Sequence, residues 1–87
     1  MIRKYIITYD LNIPGQDYES LINAIKSYDY IKALKSAFFV KTSRSASEIY
    51  NHLRPLIDDS DRIFISEITS NHSGWLDRAV IDWLSRD

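Results

Sequence analysis

A single carboxylate stands where chemistry could happen. The stretch KYIITYDLNIPGQD runs apolar and aromatic from Lys4 and ends in Asp10, just ahead of the turn-forming pair Pro14-Gly15. A magnesium ion takes hard oxygen ligands and usually keeps several waters. One carboxylate from each of two subunits, with a substrate phosphate, would therefore complete a site in which bound water attacks phosphorus. Asp10 also has a plainer use, accepting N–H bonds from the LNIPG turn or pairing with Arg62. Both readings stand at the level of sequence.

Other polar groups support Asp10 only weakly. Ser36 could donate to a phosphate or orient a water, but no neighbouring base is evident, and a hydroxyl at a strand junction is the simpler account. His52 and His72 are the only imidazoles. They are distant in sequence and lack a third partner at a recognised spacing, so they read as solvated side chains. Lys32, Lys35, Lys41 and Arg44 lie close in sequence to Tyr28, Tyr30, Phe38 and Phe39. Basic groups beside aromatic rings suit a nucleic acid strand, as lysines on a strand edge suit protection against aggregation.

Composition limits the function classes. The chain has 87 residues, 45% apolar and 13% aromatic, enough for the core of one small domain and too apolar for disorder. A domain of this size often gains stability by pairing with itself. A formal charge of −1 provides no general attraction to phosphates, so nucleic acid binding would need a local basic patch. Without cysteine there is no disulfide framework or thiolate metal site. No apolar leader or spanning segment is legible, which points to a cytoplasmic protein with no membrane partner. With two glycines, no phosphate-cradling loop and no Ser-His-Asp set, a small-molecule enzyme is a distant third.

The elements that must position Asp10 alternate. Tyr5 to Tyr9 form a breaker-free β-branched and aromatic run, as in a central strand covered on both faces. Asp17 can cap a helix in which Tyr18, Leu21, Ile22 and Ile25 recur at core spacing. Residues 31–42 are strand-like, with a break near Lys35-Ser36. Ser45 and Glu48 have the spacing of a capping box, and Pro55 predicts a kink or restart in the helix that follows. DDSD is a solvated turn before the strand RIFISEI. After a loop, Trp75 to Leu84 predict an amphipathic helix with Trp75, Leu76, Ala79, Val80 and Trp83 along one stripe, buried on its own sheet or against a partner. The expected fold is α+β, a ferredoxin-like βαββαβ domain with an antiparallel sheet over residues 1–69, extended by a loop and helix over 70–87. In that topology Asp10 lies near Ser36 and near Asp61-Arg62.

YIITYDLN followed by a helix, then LKSAFFVKT, a helix and DRIFISEI resembles the CRISPR-associated Cas-two family and its stand-alone relatives, the SinR-like proteins and virulence-associated protein D ribonucleases. The resemblance covers roughly residues 2 to 69, and the Tyr-Asp ending the first strand is its most specific part. It implies a homodimer in which two copies of Asp10 face each other. For some members it implies magnesium-dependent cleavage of a phosphodiester, for others a structural bridge between partners. Two departures favour the SinR-like branch: a helix stands where many members add a strand, and NIPGQD lacks the arginines that commonly follow the Asp. The reading is therefore a homodimeric, non-catalytic scaffold that binds nucleic acid or protein. The alternative is a magnesium-dependent endonuclease on RNA or DNA, with Asp10 as metal ligand and Lys35 and Arg62 near the phosphate.

Overall fold

The β-branched and aromatic run after Arg3 pairs on both sides, as its lack of breakers requires. In the computed structural model, which describes residues 1–13 and 18–86, this run is β1 (Arg3–Asp10). It is followed by α1 (Glu19–Ile25), β2 (Asp29–Leu34), β3 (Ala37–Thr42), α2 (Ala46–Leu53), a 3-10 turn (Arg54–Leu56), β4 (Arg62–Ile68) and α3 (Arg78–Ser85). The four strands form one sheet in the order β2-β3-β1-β4 with every neighbouring pair antiparallel. The expected α+β class and antiparallel sheet are present. Among the described residues no helix is long and apolar enough to cross a membrane.

Alternation along the strands divides the sheet into two faces. Tyr5 and Ile7 of β1 and Phe38 and Val40 of β3 point to one side, where they enclose a core with Leu21 and Ile25 of α1 and Ile49 and Leu53 of α2. Ile6 and Phe39, each one residue out of phase with that set, point to the other side. There α3 supplies Val80, Trp83 and Leu84. Lys4 ties α3 down by donating from Nζ to the Leu84 carbonyl, a favourable place for a cation because the helix dipole is negative at that end.

Local signals explain most boundaries. β2 and β3 are separated by Lys35-Ser36, where the break was expected, and the ladder slips between Lys32 and Leu34. The capping box is complete: Ser45 Oγ accepts from Glu48 N at 3.1 Å, and Glu48 Oε1 accepts from Ser45 N at 2.9 Å. Pro55 ends α2 as anticipated, with a 3-10 turn in its place. The proposed Asp17 cap and the Pro14-Gly15 turn lie outside the described residues; Tyr18 occupies the N-cap of α1 without a side-chain cap bond.

Two expectations need correction. The last helix begins at Arg78, three residues later than its apolar pattern indicated, so Trp75 lies in the preceding connection and is 99% exposed. Leu76 is half-buried and Ala79 exposed, and the stripe that enters the core is Val80, Trp83 and Leu84. The DDSD turn is not wholly solvated either, because Asp61 is only 4% exposed.

Candidate functional site

Topology assembles the Asp10 neighbourhood as anticipated. Asp10 is the last residue of β1, paired in register with Arg62, the first of β4. Across β1 on the other side, Tyr9 N donates to the Ser36 carbonyl at 3.1 Å and Thr8 Oγ1 to the same carbonyl at 3.2 Å. Asp10, Ser36, Lys35 and Arg62 thus share one end of the sheet, and all four are exposed. A shallow depression of about 200 Å3 lined by Thr8, Tyr9, Asp10, Arg62, Ile63 and Phe64 lies there. Ser36 contributes its carbonyl to β1, in keeping with a strand-junction role.

The chain after β1 is held by a different carboxylate. Asn12 N donates to Asp61 Oδ1 at 2.8 Å, Tyr18 Oη donates to the same oxygen at 2.8 Å, and Asp58 N donates to Asp61 Oδ2 at 2.9 Å. Ile13 N in turn donates to Tyr18 Oη at 3.4 Å. Asp61 therefore clasps the chain on both sides of the undescribed segment 14–17. Burial pushes the Asp61 carboxyl up, but the three donated hydrogen bonds and the Arg54 guanidinium outweigh it and hold it below the usual carboxylate range. Burial and the bond to Asp61 push the Tyr18 phenol up.

This arrangement removes parts of the plainer reading of Asp10. The N–H groups of Asn12 and Ile13 are taken by Asp61 and Tyr18. Arg62 folds back over its own turn, donating from Nη1 to the Asp59 and Asp61 carbonyls at 3.0 and 2.9 Å. Neither ion pair found among the described residues involves Asp10.

The described residues of one chain do not assemble a metal centre. Among the described residues there is no group of three or more His, Cys, Asp or Glu side chains able to hold an ion. Asp10 is a single hard ligand, and a magnesium site would need further oxygens from a second copy or a substrate. The donor set among the described residues of one chain does not by itself fit the ion.

The basic residues named from sequence do not converge. Lys35 lies at the Asp10 end, whereas Lys41 and Arg44 lie at or beyond the opposite end of β3, where Thr42 pairs with Arg3. Lys32 and Lys41 are on opposite faces: Lys32 Nζ sits 5.7 Å from the centre of the Phe38 ring, and Lys41 Nζ 4.3 Å from that of Trp83 under α3. Arg44 lies over Tyr28 at 5.8 Å and donates to its hydroxyl at 3.3 Å. His52 is exposed as expected, but its Nδ1 meets the Tyr28 hydroxyl at 2.9 Å. Lys32, Lys41 and Arg44 each contact an aromatic ring of their own chain, a use that the pairing in sequence did not separate from nucleic acid binding.

Sequence reasoning missed Asp61, and the available signal was its place at the end of a D-x-x-D turn just before a strand, where the side chain can reach back to the Asp58 N–H. It also missed a pocket beside α3, which draws its walls from four separate parts of the chain. No protein-family model matches this chain, and a search of curated proteins finds no match.

Proposed function

We propose that the protein is a homodimeric scaffold of the Cas-two-like, SinR-like kind that binds a nucleic acid or protein partner without cutting it. The observation that carries this reading is the incomplete second face of the sheet. The α3 helix covers its Ile6-Phe39-Ile31 part, while Thr8, Asp10, Arg62 and Phe64 at the other end form a stretch in which Phe64 is 65% exposed. An apolar side chain standing out of a sheet face beside polar groups suits contact with another surface. The position of β1 between β3 and β4, with α1 and α2 on one face, supports the ferredoxin-like βαββαβ arrangement on which the family reading rests.

A second reading is favoured by one observation. Asp10 is exposed at a strand end, and the Asn12 and Ile13 amides it could have served are bonded elsewhere. Facing another Asp10 across a two-fold axis, it would be available to magnesium in an endonuclease on RNA or DNA, with Lys35 and Arg62 at the phosphate.

One experiment separates the two. Wild type and Asp10→Asn are incubated with single- and double-stranded RNA and DNA in magnesium, manganese or EDTA, and their masses are measured by light scattering. The scaffold reading expects a dimer whose mass is indifferent to EDTA and to Asp10→Asn, with no cleavage above the variant. Cleavage that requires both metal and Asp10 would replace it with the nuclease reading, and a monomer in every condition would overturn both.

A further inference from the structure

A pocket of about 560 Å3 opens between the second face of the sheet, the connection 69–77 and α3. Ile6, Phe39, Ile68, Leu76 and Leu84 line it, and its polar lining includes Glu67, Asn71 and His72. His72 Nδ1 bonds the Thr69 carbonyl, which can only accept, so Nδ1 carries a hydrogen and Nε2 of the neutral ring is an acceptor. Apolar walls with hydrogen-bond acceptors among them suit a flat aromatic group carrying one N–H, because a buried indole needs a partner for that hydrogen.

Such a group stands next to the pocket and outside it. Gly74 and Leu76 both line the pocket, while Trp75 between them is 99% exposed and does not. A fully exposed indole beside an open pocket is a knob and a hole on one surface. Two-fold pairing uses the same patch on both subunits, so residue i of one meets residue j of the other and the reverse. Knob and hole on one patch satisfy that rule with a single contact made twice.

We propose that two copies of this chain pair by exchange of Trp75, each indole entering the pocket between α3 and the sheet of the other copy. This rests on the homodimer reading above and specifies how the dimer is built. Each tryptophan carries about 150–250 Å2 of surface. Two of them, with the walls they cover, account for a large part of the roughly 1,200–2,000 Å2 of a stable interface. Ile81 on the pocket wall and Phe64 further along β4 are exposed apolar groups that extend it. The exchange also gives a physical reason for the late start of α3: with residues 75–77 outside the helix, Trp75 is free of the stripe that Trp83 follows into the core.

The test is light scattering and tryptophan emission over a wide concentration range for wild type, Trp75→Ala and Ile81→Glu, with circular dichroism as the control for folding. Trp75→Ala removes a side chain that is solvent-exposed in the single chain, and should fold normally. Its dimer dissociation constant should rise roughly 100-fold or more, as for a central aromatic anchor lost from both halves of an interface. Ile81→Glu should weaken pairing comparably by charging the pocket wall while keeping the indole. The Trp75 emission, taken as wild type minus Trp75→Ala, should shift to the blue and resist acrylamide as the dimer forms. A Trp75→Ala dimer as tight as wild type would overturn the exchange and leave the homodimer standing. A wild type monomeric throughout would overturn the homodimer as well. Shielded Trp75 in a monomer, independent of concentration, would place the indole in its own pocket and overturn the exchange.

Discussion

The two faces of the sheet are built to different degrees of completion. On one, eight wholly buried side chains from two strands and two helices enclose a core, with half-buried groups such as Tyr9 and Ile63 around it. On the other, Phe39 of the sheet packs against three buried residues of one short helix, Phe64 is largely uncovered and a pocket remains at the rim of α3. The second face is where the molecule has surface left to offer, and Asp10, Arg62 and Trp75 are all on it or beside it. The closed core and the uncovered surface are separated across the thickness of one sheet.

Substitutions at matched phenylalanines test that separation most strongly. Phe38→Ala on the closed face should cost about 3–5 kcal/mol in urea unfolding, since it removes a fully buried ring and leaves a cavity. Phe64→Ala on the open face should change monomer stability by no more than about 0.5 kcal/mol. A comparable loss at both positions would mean that the second face is covered within one chain, and the contrast would fail.

The Asp61 clasp predicts a smaller effect with a pH signature. Asp61→Ala leaves the Asn12 and Asp58 amides without their acceptor, and should lower Tm by about 10 °C. The folded-state pKa of Asp61 is depressed, so its contribution is present above the ordinary carboxylate pKa of about 3.9 and is lost as pH falls through the folded value. That of Tyr18 is raised, so its contribution is present below about 10 and is lost as pH rises through the folded value. Tyr18→Phe should therefore flatten the alkaline flank of Tm against pH and leave Tyr9, also raised by burial, as a residual slope. Asp61→Asn should flatten the acid flank, where Glu48, lowered by its bonds to the Ser45 backbone and side chain, keeps a residue of the effect. An unchanged profile in both variants would show that the clasp does not hold the turn.

A smaller loss than at Asp61 is expected on the closed face. Ser45→Ala opens the capping box of α2 and should cost about 1 kcal/mol, with no change in dimer mass. A change of mass would link α2 to pairing and blur the distinction between the faces.

Signals that depend on neighbours in sequence were legible. The strand run ending at Asp10, the break at Lys35-Ser36, the capping box and the restart at Pro55 each follow from the backbone preferences of a few adjacent residues. The meeting of Asp10 with Ser36 and Arg62 was also legible, because it needs only strand order. The scattering of Lys32, Lys41 and Arg44 was not, because strand alternation and the hairpin turn send residues that are close in sequence to opposite faces and ends.

The sequence by itself thus determined the kinds of element, most of their boundaries and the end of the sheet at which Asp10 stands, since these rest on local backbone energetics and a regular alternation. Only the tertiary structure decided which aspartate holds the turn and which tryptophan is buried. Asp61 is buried because amides from residues 12 and 58 and the Tyr18 hydroxyl converge on it, and Trp83 enters the core while Trp75 does not because α3 begins at Arg78 and packs through Val80, Trp83 and Leu84. Both outcomes depend on groups brought together from distant parts of the chain, where local preference has no influence.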